Sequence, residues 1–183
     1  MGNLLSEKIN ILLSLDRDIL PGYYNPQDNA PLYKRQVSSE LEDYILKSIR
    51  TATRNSKIFF KIAYRNEEDK EYAEPLVYAI RRHFSQSKIL MNKSFENFKR
   101  RTFKLLLVSL SVVTISHGVL PLLLKGQEGT IHTGLNNSLD VFSLVILWKP
   151  IDRLVFYWNP FLKDIALFDK LEKAEVIMEE IEE

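Results

Sequence analysis

Three ionisable residues near the end of the chain stand in the arrangement with the most potential for chemistry. Lys149, Asp152 and Arg153 fall within the run from Val141 to Trp158, which is otherwise mostly apolar. On a helix they occupy positions i, i+3 and i+4, so both cations can approach the single carboxylate from one face. This charged cluster could form a neutralised ion pair, a polar lock between helices, or part of an ion or proton pathway.

The composition excludes several kinds of site. The chain has no cysteine, which rules out a disulfide and a thiolate metal site. Its three histidines are widely separated in sequence: His83, His117 and His132. The formal net charge of +1 gives no global reason to expect nucleic acid. We therefore predict no cofactor, no metal centre and no nucleic-acid partner.

Sequence patterns of common enzyme classes are also absent. The sequence contains no phosphate-binding loop, no dinucleotide-binding glycine motif, no zinc-protease helix motif and no serine-hydrolase elbow. A membrane-bound enzyme would need a pocket with convergent titratable groups. The candidates for such groups are predicted on helix surfaces instead: Asp43, Asp69, Tyr78 and His83. We predict that the chain is not an enzyme.

Two apolar segments are long enough to predict a helical hairpin in a membrane. The first, over residues 103–124, has Lys104 and His117 as its only ionisable groups. As a helix it would be about 33 Å long, against a bilayer core of about 30 Å. The second, over residues 138–158, contains the charged cluster. We predict a transmembrane hairpin over residues 102–160.

The distribution of basic residues predicts the orientation of this hairpin. Six basic residues precede or begin the first segment: Lys88, Lys93, Lys99, Arg100, Arg101 and Lys104. The connector over residues 125–137 carries a single lysine. Because basic flanks stay on the cytoplasmic side, both termini are predicted in the cytoplasm. The chain is thus predicted to be a multi-pass protein of the cell inner membrane, in contact with the lipid bilayer.

Individual positions in the hairpin have predicted structural roles. Small or hydroxylated residues at helical spacing form a predicted helix-packing face on the first segment: Ser111, Thr114 and Gly118. Pro150 removes one helical hydrogen bond and predicts a kink in the second segment. Three aromatic residues are predicted as interfacial anchors near its end: Trp148, Tyr157 and Trp158.

The part of the chain before the hairpin, residues 1–101, is predicted to be a small cytosolic α+β domain. An apolar stripe near its start predicts an amphipathic helix. The proline-rich segment that follows ends in a short predicted strand over residues 32–37. Ser38 or Ser39 then caps a predicted helix over residues 39–53.

Two further elements complete a β-α-β-α order in this domain. The alternation of apolar residues from Lys57 to Tyr64 predicts a half-buried strand. A second helix begins near Glu68 and is predicted to lead into the first apolar segment, either as one long helix or as two nearly continuous ones. The reason is that neither proline nor glycine occurs between Pro75 and Gly118. After the hairpin, residues 161–183 predict a cytosolic amphipathic helix that packs on the chain itself or on a partner helix.

The end of the second apolar segment resembles a family of uncharacterised prokaryotic two-span integral membrane proteins. The shared pattern is W-[RK]-P-[IL]-[ED] followed by an aromatic-rich W-x-P. The matching positions are Trp148, Lys149, Pro150, Ile151, Asp152, Trp158 and Pro160. The resemblance extends over most of residues 32–175 and implies the hairpin topology, but no particular activity. Arg153 and Tyr157 depart from the pattern, which has an apolar residue and an acid at these positions.

Together these predictions describe a protein that acts by interaction. We predict an α+β membrane protein that serves as a non-enzymatic scaffold, assembly or accessory subunit. It would form a homo-oligomer or bind a membrane-protein partner. The alternative is an oligomeric ion or proton pathway that uses the charged cluster, which would need several copies because two spans enclose no pore.

Overall fold

A computed structural model of the chain describes residues 7–53, 56–119, 122 and 130–181. The strands of this part are β1 (Lys8–Leu15), β2 (Lys57–Tyr64) and β3 (Glu175–Glu180), and its helices are α1 (Ser39–Ser48), α2 (Ala73–Gly118), α3 (Thr130–Phe156) and α4 (Trp158–Glu172). The chain divides into two compact units. The sheet unit comprises Met1–Leu90 and Asp164–Glu183, and the hairpin unit comprises Met91–Lys163.

Strand β2 is the centre of a parallel three-stranded sheet with the order β1-β2-β3. The register places Phe60 opposite Ile11 of β1 and Val176 of β3. Alternate residues of β2, from Ile58 to Tyr64, are buried, and the residues between them are partly exposed. The predicted strand is confirmed with the predicted bounds, because an apolar face of period two is a strong local signal.

Helices α1 and α2 contribute to the same core as the buried face of the sheet. Ile45 of α1 and both Ile80 and Phe84 of α2 are fully buried in one cluster with the strand residues. Helix α1 is shorter than predicted, and its N-cap is Ser38. The Oγ atom of Ser38 accepts a hydrogen bond from the backbone N–H of Leu41 at 3.2 Å. This bond satisfies one of the N–H groups that have no partner within the helix.

Helix α4 closes the core of the sheet unit. Leu171 of α4 is fully buried in the core cluster. The side chain of Lys88 in α2 donates hydrogen bonds to Asp169 at 2.6 Å and to Glu172 at 2.9 Å. The C-terminal segment therefore packs on the chain itself, which was one of the two predicted locations.

The ion pairs of α4 shift the pKa values of their members. Hydrogen bonds to Asp169 and Glu172 raise the pKa of Lys88. Hydrogen bonds from Lys173 and Lys88 lower the pKa of Asp169. Because the carboxyl pKa is lower in the folded chain, the stabilisation that it contributes is present at neutral pH. That contribution is lost as the pH falls through the lowered value.

Both ends of the chain were predicted as helices. The N-terminal prediction is wrong, and the prediction over residues 161–183 is right up to Glu172 and wrong beyond it. In β1, Ile11, Leu13 and Leu15 are buried, whereas Leu12 is exposed. The apolar residues of this segment fit both a helical stripe and a period of two, and pairing with β2 selects the strand. In the same way, β3 replaces the end of the predicted C-terminal helix by pairing with the other side of β2. Residues 1–6 and 182–183 lie outside the described residues.

The predicted strand over residues 32–37 is also wrong. Leu32–Lys34 forms a 3-10 helix, in which the backbone N–H of Lys34 donates to the carbonyl of Pro31 at 2.7 Å. In this fully described segment, an isolated antiparallel bridge between Tyr24 and Val37 is the one pairing of strand type. Proline limits the backbone to conformations that suit such turns, and this effect outweighs the weak strand signal.

Helix α2 is one continuous element of 46 residues, as predicted for the segment that leads out of the first domain. Pro75 lies in its first turn, where the missing N–H costs no helical hydrogen bond. The helix begins later than predicted, because Glu67–Tyr72 forms a 3-10 helix before it. The two helical types meet at Ala73.

Among the described residues, no helix is both long enough and apolar enough to cross a membrane. The predicted transmembrane hairpin, the membrane fold class and the inner-membrane location are therefore wrong. The apolar part of α2, from Phe103 to Gly118, is roughly 24 Å long, which is short of a bilayer core of about 30 Å. The apolar run of α3 is interrupted by the charged cluster. Residues 120–121 and 123–129, with the end of the first predicted span and most of the connector, lie outside the described residues.

Candidate functional site

A polar contact connects the end of α2 to the middle of α3 in the hairpin unit. The Nε2 atom of His117 lies 2.8 Å from Oγ of Ser143. The Nδ1 atom of His117 lies 3.8 Å from Oδ1 of Asp140. Ser143 is buried, whereas Asp140 is largely exposed. A single histidine thus contacts two successive turns of the facing helix.

Serine, histidine and aspartate are also the members of a hydrolase triad, so the chemistry of this contact has to be considered. Acyl transfer requires hydrogen-bond donors aimed at an oxyanion beside the serine. Ser143 lies inside α3, where the neighbouring backbone N–H groups donate to carbonyls of the helix itself. At 3.8 Å, Asp140 is also too far from the ring for a hydrogen bond. The geometry therefore suits a link between two helices and lacks the parts of a hydrolytic site.

The buried residues in the described part of the hairpin unit are small, and all of them except Pro150 are polar. Thr102 and Ser109 of α2 and Ser143 of α3 are buried. Within the described part of the chain, every apolar residue of the buried core belongs to the sheet unit. The Oγ1 atom of Thr102 has no hydrogen-bond partner. Because so little apolar surface is buried, the hydrophobic stabilisation within the hairpin unit is small.

The unpartnered hydroxyl leads to a testable prediction for the hairpin unit. Thr102→Val is expected to raise the free energy of unfolding by about 1 kcal/mol, because a methyl group replaces a buried hydroxyl that forms no hydrogen bond. Urea unfolding followed by circular dichroism measures the change. Thr114→Val is the matched control, since the hydroxyl of Thr114 is exposed and donates to the carbonyl of Leu110. A less stable Thr102→Val variant would contradict the prediction.

Large apolar side chains cover the outside of the hairpin unit. Four aromatic residues, Phe103, Phe142, Trp148 and Phe156, are between 48% and 67% exposed. At about 150–250 Å² for each aromatic side chain, they alone present roughly 350–600 Å² of apolar surface. Exposed aliphatic residues on the same two helices extend this area: Leu107, Val108, Leu110, Ile115, Val141, Leu144, Val145, Ile151 and Val155. We call these thirteen residues the apolar hairpin surface.

The spacing of these residues is that of helices that pack against one another. On α3, five members of the apolar hairpin surface follow steps of three and four residues: Val141, Leu144, Trp148, Ile151 and Val155. On α2, Phe103, Leu107 and Leu110 follow the same rule. Steps that alternate in this way place the side chains on one stripe of each helix, as in coiled coils. The stripes are exposed, so no part of the described chain covers them.

The charged cluster lies on α3 beside this surface. Lys149 and Arg153 are exposed, and Asp152 is partly buried. Among the described residues, no ion pair within 4.0 Å joins Asp152 to either cation. The predicted ion pairs that would neutralise these three residues are therefore not formed within the described part of the chain. The proposed role of the cluster as a polar lock stays a prediction.

The predicted helix-packing face also lies on the outside of the hairpin unit. Ser111, Thr114 and Gly118 are all exposed. The hydroxyls of Ser111 and Thr114 each donate to the carbonyl four residues earlier in α2 at 2.9 Å. A Cβ atom on Gly118 would meet nothing within 4 Å. The face is thus available to a helix from outside the chain, and its use stays a prediction.

The remaining predicted positions of the hairpin fall into two groups. Trp148 and Tyr157 are exposed, and their role as interfacial anchors stays a prediction. Trp158 instead packs edge-on against Phe95 within the hairpin unit, with the ring centres 5.9 Å apart. Pro150 is buried, and α3 continues past it as one helix. The predicted kink at this proline stays a prediction.

The fold and the exposed surface define a small parallel α/β unit joined to a helical hairpin with an apolar exterior. No family model, no curated protein and no solved structure matches the chain. The resemblance of the segment around Trp148 and Pro150 to a two-span family therefore stays a prediction.

Sequence analysis missed the residues that hold the hairpin unit together. It named His117 only as an ionisable group of the first apolar segment and did not single out Ser143 as its partner. It also assigned the packing face of α2 without considering Thr102 and Ser109, which the structure buries. Their spacing of seven residues within an apolar helix was the available signal, because it keeps both on one side of the helix.

Proposed function

We propose that the chain is a non-enzymatic interaction protein that self-associates through the apolar hairpin surface and serves as a scaffold or accessory subunit. The observation that supports this function is the burial pattern of the hairpin unit, in which large apolar side chains face outward and small side chains face inward. Thirteen of its large apolar residues are exposed, and the described residues that it buries are small: Thr102, Ser109, Ser143 and Pro150. Monomeric proteins rarely expose contiguous apolar patches larger than a few hundred Å². Covering the surface is favourable by about 25 cal/mol for each Å² removed from water.

A second copy of the hairpin unit is the partner that this surface suits best. On α3, the exposed members of the apolar hairpin surface follow alternating steps of three and four residues. Two such stripes can interlock side chain by side chain, as in coiled coils. The small side chains of Ser111 and Gly118 leave room for another helix to approach α2 closely. A stable interface buries about 800 Å² on each partner. The four exposed aromatic residues supply roughly half of that area or more, and the aliphatic residues can supply the rest.

The charged cluster supports the same proposal, because its members form no ion pair with any residue that the structure describes. Lys149 and Arg153 of one copy can approach Asp152 of another copy when the α3 stripes meet. Polar pairs at the margin of an apolar helix interface restrict the register in which the helices associate. The cluster would then select one assembly among several that the apolar residues alone permit.

Leu107→Glu tests the proposal. This residue is 64% exposed, so the substitution is tolerated in a single chain. In an interface it buries an unpaired carboxylate at a cost of about 2–5 kcal/mol, which is expected to raise the dissociation constant about 30-fold or more. Analytical ultracentrifugation of the full chain over a concentration series measures the change.

Leu90→Glu is the matched control for this test. Leu90 lies on the same helix and is 65% exposed, but it belongs to the sheet unit. We expect the control to associate like the wild type. A wild-type chain that stays monomeric at micromolar concentrations would contradict the proposal, and so would equal effects of the two substitutions. A monomeric chain that floats with phospholipid vesicles would assign the surface to lipid instead.

A further inference from the structure

The two edges of the sheet differ in whether their backbone groups are already occupied. On the outer edge of β1, the phenol of Tyr23 accepts a hydrogen bond from the N–H of Ser14 at 3.1 Å and donates to the carbonyl of the same residue at 3.0 Å. The phenol of Tyr44 donates to the carbonyl of Leu12 at 2.9 Å. Two tyrosines thus occupy positions that an added strand would need. This arrangement protects the edge against further pairing.

The Nη2 atom of Arg81 donates to the carbonyl of Ala174 at 2.8 Å, just before β3 begins. Along β3 itself, the described residues provide no such protection of the outer edge. The N–H of Ile181 donates to the carbonyl of Tyr64 in β2 at 3.0 Å, so the odd-numbered residues of β3 direct their backbone groups towards β2. The backbone N–H and C=O groups of the even-numbered residues therefore point away from the sheet. These residues are Val176, Met178 and Glu180. Among the described residues, no hydrogen bond uses these outward groups. Exposed donors and acceptors in this row are a template for another strand.

A groove runs along this open edge, between β3 and the first turns of α2. It has a volume of about 360 Å³. Its apolar lining consists of Ala73, Val77, Tyr78, Val176 and Met178, and its charged lining consists of Lys70, Glu74 and Arg81. The groove itself therefore favours apolar side chains over basic ones. Tyr78 is 55% exposed and Met178 is 38% exposed, so apolar surface remains available to a ligand. An extended chain that paired with β3 would direct every second side chain towards this groove.

The charges around the edge indicate what kind of chain would bind there. Three of the six residues of β3 are exposed glutamates, Glu175, Glu179 and Glu180, and none of the six is basic. Lys61 of β2 forms an ion pair with Glu179 at 2.6 Å and leaves the other two carboxylates without a cation in the structure. Basic side chains on the added strand would therefore be attracted to this edge.

A second copy of β3 does not meet this requirement. In the antiparallel register that pairs Val176 with Met178 of the other copy, Glu175 lies directly opposite Glu179. Like charges at opposite positions destabilise a strand pair. The edge strands of two copies would moreover bring six carboxylates together without a basic residue of β3 to offset them.

We propose that the open edge of β3 binds an extended segment of another protein by strand addition. Apolar side chains at alternate positions of that segment enter the groove beside α2. The lysine or arginine residues between them lie on the opposite face of the sheet, beside Glu175 and Glu179. The backbone bonds provide affinity and the groove provides selectivity. This site belongs to the sheet unit and is separate from the apolar hairpin surface.

The probe for this site is a fluorescein-labelled peptide of about eight residues that alternates valine and lysine. Fluorescence anisotropy with the full chain is expected to show saturable binding. A valine–glutamate peptide of the same length is expected to bind at least tenfold more weakly because of the acidic edge. Equal binding of the two peptides, or no binding of either, would overturn the proposal.

Backbone methylation distinguishes strand addition from simple charge attraction. Two further peptides carry N-methyl groups on all valine amides or on all lysine amides. In one of them the methyl groups remove the donors that face β3, and its affinity is expected to fall roughly tenfold or more. The other peptide presents its methyl groups to solvent and keeps its affinity. Unchanged binding of both would exclude backbone pairing.

Met178→Pro tests the same bonds from the side of the protein. The substitution removes an N–H that points away from β2, so the bonds within the sheet remain. Circular dichroism checks the fold, and a folded variant is expected to lose peptide binding. If the variant does not fold, the pair of methylated peptides decides. A dimer that survives Leu107→Glu but is broken by Met178→Pro would assign the edge to a second copy and would overturn the proposal.

Discussion

Replacing Phe84 with alanine is expected to lower the free energy of unfolding by about 3–5 kcal/mol. Phe84 is fully buried in the core of the sheet unit. Its ring stacks on Phe168 of α4 with the ring centres 6.0 Å apart, and it meets the edge of His83 at 5.2 Å. Truncation removes these contacts and leaves a cavity that the surrounding strands and helices can close only in part. Because domains are stable by about 5–15 kcal/mol, this loss is a large part of the total stability.

Urea unfolding of the full chain, followed by circular dichroism, measures this effect. Phe103→Ala is the matched control, because it removes the same atoms from the same helix at a position that is 48% exposed. The control is expected to change the free energy of unfolding by only about 0.5 kcal/mol. Equal losses for the two variants would show that burial in the sheet unit does not determine the stability.

Leu171→Ala is expected to lower the free energy of unfolding by about 2–5 kcal/mol. Leu171 is fully buried and lies in α4, far along the chain from β1 and β2, with which it shares a core. The loss has a specific structural consequence, because α4 leads directly into β3. Weaker packing of α4 would also loosen the pairing of β3 with β2. Hydrogen exchange of the β3 amides is therefore expected to accelerate in this variant.

The matched control for this second substitution is Leu162→Ala. Leu162 lies on the same helix but is half exposed and belongs to the hairpin unit. Its truncation is expected to leave both the stability and the exchange of the β3 amides close to the wild type. If Leu171→Ala were as mild as this control, the C-terminal segment would not be part of the core.

Local sequence pattern was sufficient for some elements of the fold. Strand β2 was predicted with its observed bounds, because its alternation of apolar residues has no helical counterpart. Helix α1 was predicted from its cap and its apolar spacing, although it ends at Ser48, earlier than expected. The continuous course of α2 followed from the absence of proline and glycine between Pro75 and Gly118. Each of these signals lies within the element itself or within a few residues of it, so it can be recognised without knowledge of the tertiary structure.

The orientation of the candidate sites depends much more on tertiary structure than these elements do. The charged cluster and the helix-packing face were found from spacing, but whether they face inward or outward depends on which side of each helix is covered. The structure buries Thr102 and Ser109 on α2 and leaves Ser111 and Thr114 exposed. Spacing alone cannot distinguish these sides, because large apolar residues occur around most of the helix.

Composition, local periodicity and helix-breaking residues therefore determine that this chain combines a half-buried strand, a capped helix and a very long helix. Pairing across the sheet decides the rest. The segments at Ile11 and Val176 become strands because the two sides of β2 offer unpaired backbone groups that only an extended segment can satisfy. Such partners lie far away in sequence, and neither segment carries a local signal strong enough to reveal them.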